Sequence, residues 1–402
     1  MQLLPGFRDL LPADCAQRNY IFAQWREVAR RYGFVEWDGP VLEPTELYKK
    51  KSGDEIVGQL FNFTDKGGRE VAMRPELTPT LARVVAAHER EFKKPLKWFS
   101  IPQCFRYEKQ QRGRLREHFQ FNADIIGEDS LGADIELVAL CIDLLRGFGL
   151  GPGDFVVRMS DRQFWIEFLR SHDVPEDRWQ ATLEIIDKSE RQPREKVAAQ
   201  LGALAPAVFE ILDGGGRSER LDHLLGGLQE RGLAEFASID LRIVRGLAYY
   251  TGIVFEAFDR AGKLRAIAGG GRYDNLIAQL SDGAVALPAL GFAMGDVVLG
   301  ELLREKGNLP NEQSLDAYVV IAKEERRTDA LRLVQELRNA GRRVDFPLAP
   351  AKVGKQFQTA ETLGAKFAVL FGDEWPQLKV KNLATRAEQL VGPQDLLAHL
   401  AR

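Results

Sequence analysis

Period-two alternation marks the middle of the chain. Over 118–126, Phe119, Phe121, Ala123 and Ile125 fall on one face of an extended segment, and Gln120, Asn122 and Asp124 fall on the other. Residues 98–108 alternate in the same way, with Arg106 and Glu108 opposite Phe105 and Tyr107. The pattern predicts a hairpin whose apolar face sits on a core. Its other face offers a guanidinium, carboxylates and amides, and its loop carries Lys109, Arg112, Arg114 and Arg116.

Helical spacing over 14–31 (Ile21, Phe22, Trp25, Val28) predicts a first helix, capped by Asp14 and ended near Gly33. A strand is expected over 34–42 ahead of a turn at Pro44. A hairpin follows over 62–70, turning on Asp65-Lys66-Gly67-Gly68. Helices are expected over 81–88 and 133–148, with a strand at 155–159. Residues 161–235 are rich in Glu, Arg, Gln and Ala at helical spacing and break at Gly214-Gly215-Gly216, which predicts an inserted helical module. Strand patterns return with a hairpin, 253–259 and 263–267, followed by Gly269-Gly270-Gly271, a helix at 274–280, a strand at 290–294 and a helix at 297–305. After a polar linker at 306–314 the pattern becomes strand 317–321, helix 328–340, strand 343–346, helix 352–363 and strand 367–371. That order predicts a small α/β domain with a largely parallel sheet.

Composition changes this picture little. At 402 residues and 45% hydrophobic, the chain can build two or three domains. The net charge of -3 does not identify a partner, and 14 Lys and Arg against 12 Asp and Glu over 312–402 is too even to argue RNA binding. Cys15, Cys104 and Cys141 have no paired spacing, which argues against a disulfide framework or a cysteine zinc site and fits a reducing compartment. The opening MQLLPGFRDLLPAD has prolines and charges where a signal peptide needs an apolar run, and no stretch approaches the roughly 20 apolar residues of a membrane span. A soluble cytoplasmic protein is expected.

Three constellations could carry chemistry. A guanidinium at Arg106, inside a strand, needs partners if buried, and its fork suits a carboxylate or phosphate. Arg245, Tyr249 and Tyr250 lie with two glycines in 243–252, which suggests close backbone approach to a ligand; the alternative is an edge arginine beside a core tyrosine. The glycine triplet before Arg272-Tyr273-Asp274 matches no dinucleotide or phosphate-loop fingerprint and reads as a turn or a ligand cradle. The five histidines show no metal spacing, and no nucleophile triad occurs. Catalysis would then rest on orientation and charge stabilisation.

Together these segments resemble the histidyl-tRNA synthetase family of class II aminoacyl-tRNA synthetases over essentially the whole chain. Pro5-Gly6-Phe7-Arg8-Asp9 is similar to the family's opening, 33–44 to the dimer-forming motif 1, and 105–127 to motif 2. Arg245-Gly246-Leu247-Ala248-Tyr249-Tyr250 and Gly270-Gly271-Arg272-Tyr273-Asp274 resemble its two histidine-specific signatures. The resemblance implies an α+β class II catalytic domain over 1–305, an antiparallel sheet flanked by helices, with the helical insertion at 161–235. A linker at 306–314 and an α/β anticodon-binding domain at 315–402 would follow, and the chain would form a homodimer.

The implied reaction is ATP-dependent ligation of L-histidine to its tRNA through histidyl-adenylate, with Mg2+ accompanying the ATP phosphates and no protein-bound metal site. By motif position, Arg106 and Arg245 are the catalytic pair. Arg106 would hold the α-phosphate and the histidine carboxylate, and Arg245 the α-phosphate where related enzymes use a metal ion. Glu76, Thr78 and Gln120 would hold the α-amino end, and Asp124 with Tyr249 or Tyr250 would read the imidazole. Glu108 and Arg114 join the ATP contacts, Arg114 at the distal phosphates, while Gln111, Arg112 and Arg116 lie near the tRNA acceptor end. One departure stands out: motif 3 of the class ends in an arginine that packs against ATP, and 291–299 contains none. A non-catalytic relative, the histidine-sensing regulatory subunit of ATP phosphoribosyltransferase, is the alternative. The missing arginine leans towards it, whereas Arg106, Arg114, Arg245 and a full C-terminal α/β domain oppose it.

Overall fold

The computed structural model describes residues 2–52, 54–107, 113, 115–245, 249–310 and 315–401. They form two compact units, Met1–Leu10 with Gln17–Leu309 and Leu11–Ala16 with Pro310–Arg402.

The first unit is built on a nine-stranded sheet. From one edge its order is Val35–Glu36, Leu96–Ser100, Glu117–Ile126, Ala289–Gly295, Ala268–Arg272, Ile253–Asp259, Phe155–Asp161 and Ala237–Ile239, with Gln103–Phe105 paired beside Glu117–Ile126. The six central strands run antiparallel, and the two edge strands run parallel to their neighbours. Phe121, Ala123 and Ile125 enter the main core with Trp25 and the buried side of the Leu131–Arg146 helix. Phe121 stacks on Phe99 at 5.6 Å and lies 5.8 Å from Trp25. The opposite face is left to Gln120, Asn122 and Asp124, as the alternation predicts.

Prolines and glycines account for the main departures. The expected strand at 98–108 is two strands, Leu96–Ser100 and Gln103–Phe105, because Pro102 has no N–H for the ladder. Arg106 therefore follows a strand rather than sitting in one, although its N–H still donates to Arg116 C=O at 2.8 Å. The expected strand at 34–42 likewise divides into Val35–Glu36 and Leu42–Pro44 around Gly39-Pro40. The first helix starts at Pro12, so Asp14 lies in its first turn rather than capping it. Gly269, Gly270 and Gly271 form neither a turn nor a loop: they lie within Ala268–Arg272. A Cβ at Gly270 would stand 2.2 Å from Gly291 C=O, and one at Gly271 2.6 Å from Ile253 C=O. The triplet is where three strands pass too closely for side chains.

The helical module contains Arg162–Ser171, Glu176–Asp187, Arg194–Leu201, Ala205–Glu210 and Glu219–Glu230. Within Arg194–Glu230 one run is apolar enough in composition to resemble a membrane span. The chain breaks it at Gly202 and Gly214, and Val197, Leu201, Val208 and Leu212 are buried in the core. The second unit has a five-stranded sheet in the order Val344–Asp345, Ala317–Ile321, Phe367–Phe371, Leu378–Asn382 and Glu388–Val391. Its first three strands are parallel and its last two antiparallel, so the sheet is mixed rather than largely parallel. Val319 and Ile321 pack with Leu333 and Leu337 of one helix, while Tyr318 and Val320 pack with Ala360 of another, so helices cover both faces.

Candidate active site

A cavity of about 340 Å³ opens on the polar face of the central strands. Glu117–Ile126 contributes Gln120 and Asp124, the residue just after Gln103–Phe105 is Arg106, and Glu76 and Thr78 come from the entry and first residue of the Thr78–Ala87 helix. Arg245, Tyr249 and Tyr250 complete the wall. The structure thus gathers these eight residues, drawn from four stretches of sequence, around one space. Arg116 lines no part of it; its guanidinium lies 4.3 Å over the Tyr107 ring, and its side chain packs on Gly6. Glu108, Gln111, Arg112 and Arg114 lie outside the described residues.

Charges alternate within the cavity. Asp124 is 6% exposed, and the Tyr273 hydroxyl donates to its Oδ1. Burial pushes the Asp124 carboxyl up to about 7, against the Tyr273 hydrogen bond and the charge of Lys51. Its cross-strand partner is Gly291, where a Cβ would fall 1.9 Å from Asp124 Oδ1. Only glycine leaves that carboxylate its place. Lys51 Nζ reaches Glu76 Oε2 at 2.6 Å and lies 4.2 Å over the Tyr249 ring. Burial works to raise the Glu76 carboxyl, but Lys51 and Arg106 bring it below its ordinary value. Tyr249 and Tyr250 sit ring to ring at 4.5 Å. Burial raises both phenols, Tyr249 to about 12, so each remains a neutral hydrogen-bond donor near pH 7.

The two arginines are held differently. Arg106 Nε donates to Pro75 C=O at 3.0 Å. Arg245 has a left-handed backbone, φ +50°, and its Nη1 lies 3.3 Å from Glu256 Oε1 and 3.4 Å from Phe255 C=O. Its buried Nε has no hydrogen-bond partner among the described residues. A Cβ at Gly269 would fall 1.6 Å from Arg245 Nη1, so this glycine makes room for the guanidinium.

A second cavity, about 900 Å³, meets the first at Arg106, Gln120, Arg245, Gly269 and Ala293. Leu115, Phe258, Leu264 and Val298 give it apolar walls, with His118 and Arg265 also on its lining. Val298 and Arg265 approach the same side of Gly113. The 291–299 segment thus brings an apolar side chain to this cavity. Its Asp296 is turned elsewhere, accepting from the Phe119 N–H at 2.9 Å and from Arg8 at 3.0 Å, while Arg8 also binds Glu117 at 2.7 Å. Arg272 is likewise structural: it pairs with Asp134 at 2.6 Å, both nearly fully buried. Among the described residues no group of three or more His, Cys, Asp or Glu side chains could hold a metal ion.

Lys51 and Tyr273 carry no assigned role from sequence. Lys51 ends a run of three lysines that reads as a solvated helix terminus. Tyr273 lies in the Gly270–Asp274 signature, but its partner Asp124 is 149 residues away.

A family model described as histidyl-tRNA synthetase matches residues 6–235 and 215–296, and one described as an anticodon binding domain matches 316–402. A histidine–tRNA ligase of Opitutus terrae is 48% identical over 99% of this chain and 97% of its own length. The chain belongs to the histidyl-tRNA synthetase family. A chloroplastic and mitochondrial histidine–tRNA ligase of Arabidopsis thaliana is 40% identical, covering 97% of this chain and 85% of its own. The fold agrees: the crystal structure of histidyl-tRNA synthetase from Nostoc sp. PCC 7120 superposes with a TM-score of 0.87 at 24% identity, covering 100% of this chain and 99% of that one. A Bacillus halodurans chain described as an ATP phosphoribosyltransferase regulatory subunit/histidyl-tRNA synthetase has a TM-score of 0.76 at 23% identity, covering 92% and 97%. The fold is therefore common to both descriptions, while the closer sequence relatives are histidine–tRNA ligases, and the regulatory alternative gains no support over the histidyl-tRNA synthetase family.

Proposed function

We propose that the chain ligates L-histidine to its tRNA in two steps, with histidine in the smaller cavity and ATP in the larger. The observation that carries this reading is that both cavities meet at Arg106 and Arg245. A histidine carboxylate oxygen attacks the α-phosphorus of ATP, the bond to the β-phosphate oxygen breaks, and pyrophosphate leaves with that electron pair. Negative charge grows on the α-phosphate oxygens, where two preset guanidiniums meet it without reorganising. Glu76 and Thr78 would take the α-ammonium group, and Asp124 with a tyrosine hydroxyl the imidazole. The 3′-terminal adenosine of the tRNA then attacks the adenylate carbonyl, and AMP leaves. Mg2+ would accompany the ATP phosphates.

Histidine-dependent ATP–pyrophosphate exchange tests the reading directly. Folded protein that gives no exchange would overturn it. Arg265 lines the larger cavity and approaches the same side of Gly113 as Val298, and a planar guanidinium there suits the face of a purine. Arg265→Ala should raise the KM for ATP about tenfold and leave the KM for histidine unchanged, an effect of the size of one desolvated cation–π contact. Equal increases in both would remove Arg265 from the nucleotide site.

A homodimer is supported by the exposed apolar side chains of Val35, Val41 and Leu42 in the motif 1 segment, Val35 on the sheet's edge strand. Three free cysteines suit a cytoplasmic setting. The 315–402 domain would bind the anticodon.

A further inference from the structure

Arg245 is one of four described non-glycine residues held in left-handed backbone, and the groups that hold it come from the helical module. Asp187 Oδ1 accepts from the N–H of Arg245 at 2.7 Å and from the N–H of Val244 at 3.2 Å. On the other side of the same residue, Arg162 Nη1 donates to Arg245 C=O at 3.4 Å, and Arg162 Nη2 donates to Gln180 Oε1 at 2.6 Å. Arg162 is 5% exposed and opens the Arg162–Ser171 helix; Gln180 and Asp187 belong to Glu176–Asp187. Both the donor and the acceptor of the Arg245 peptide backbone are therefore gripped by two helices of the insertion.

Asp187 stands where its charge needs compensation, and the Arg245 backbone is part of what supplies it, beside the guanidiniums of Arg162 and Arg245. It is the last residue of its helix, where the negative end of the helix dipole disfavours a carboxylate. It also borders the larger cavity, where a carboxylate would repel a triphosphate. Two backbone N–H groups offset both penalties, and one of them belongs to the residue whose guanidinium lies at the junction of the cavities. We propose that Asp187 is a positioning residue for Arg245, and that the docking of the helical module thereby sets the rate of adenylate formation. The inference rests on the reading of Arg245 as an α-phosphate ligand.

The test measures exchange kinetics for the full chain and for Asp187→Ala, Asp187→Asn, Arg245→Ala and the double variant Asp187→Ala/Arg245→Ala. Asp187→Ala should lower kcat about a hundredfold with the histidine KM held within about twofold, since a misplacement of some 1 Å at the reacting centre has that effect. Asp187→Asn keeps an oxygen that accepts from the same N–H groups and should restore kcat to within a few fold of the parent chain. In the Arg245→Ala background, Asp187→Ala should add nothing, because the group it positions is gone. Additive losses in the double variant, or an unchanged kcat in Asp187→Ala, would overturn the inference while leaving the ligase reading intact. A parent chain without exchange would overturn both. Should Asp187→Ala fail to fold, Arg162→Met provides the same comparison from the other side of the Arg245 peptide, and full activity in that variant would count against the proposal.

Discussion

Arg245→Ala is expected to lower histidine-dependent ATP–pyrophosphate exchange by about 10²- to 10³-fold, the usual consequence of removing one preset donor from a developing oxyanion. The geometry explains why the effect should fall on rate rather than on histidine affinity. Among the described residues Nη1 makes long contacts, 3.3 Å to Glu256 and 3.4 Å to Phe255 C=O, and the buried Nε has no partner. Arg245 lines both cavities, whereas Glu76 and Asp124, proposed to hold the amino acid, line only the smaller one. Burial pushes the Glu256 carboxyl up, opposed by Arg245, so Glu256 is a weak competitor for the guanidinium when a phosphate arrives. Arg245→Lys should recover little, because an ammonium cannot reproduce a planar fork spanning two oxygens. Exchange rates together with calorimetric histidine affinities check this. Exchange near the parent rate would remove Arg245 from the phosphate, and affinity lost in step with rate would assign it to histidine instead.

Physical range decides which parts of this molecule are legible in its sequence. The polar face of Gln120, Asn122 and Asp124 is visible because strand alternation is a two-residue rule, indifferent to what lies across the sheet. Ala317–Ile321 and Phe367–Phe371 match expectation to the residue, since buried parallel strands are short apolar runs bounded by polar turns. Of the two readings of Gly269–Gly271, the turn fails and its strand position is missed because the reason for glycine lies elsewhere in the chain: the crowding comes from Ile253, Gly291 and Phe292 on neighbouring strands and from Arg245. The last two strands of the second unit escape notice because Lys379, Lys381 and Glu388 dilute their apolar positions. In the site, the residues that sequence identifies are those carried by motifs. Lys51 is hidden because its burial against Glu76 and Tyr249 depends on a fold that no local pattern encodes. Asp187 is hidden for the same reason: an aspartate at a helix end is ordinary until the backbone of Arg245 is found beside it.

Asp124→Asn should lower kcat/KM for histidine by about a hundredfold, the weight of a charge-assisted hydrogen bond of roughly 3 kcal/mol in a buried site. One carboxylate oxygen accepts from Tyr273, and under the proposed reading the other would accept from an imidazole N–H. The pH dependence follows from the carboxyl lying near 7 in the ligand-free protein, far above its value of 3.8 in an unfolded chain. As pH falls through 7 the group takes up its proton and the charge-assisted hydrogen bond from a neutral imidazole weakens to a neutral one, so kcat/KM for histidine should fall as pH drops from 8 to 6. Free histidine itself titrates near 6.5, and Asp124→Asn retains that contribution alone, so the ratio of the two profiles isolates the protein group. Stability carries the opposite sign. Between about pH 4 and pH 7 the folded chain binds more proton at Asp124 than the unfolded chain does, so this group's contribution falls as pH rises through that window. Asp124→Asn should therefore gain thermal stability relative to the parent on going from pH 5 to pH 8 while losing its grip on histidine throughout. A parent kcat/KM that tracks only the substrate's own titration would show that Asp124 is already ionised when histidine binds, and that this carboxyl does not control recognition on the acid side.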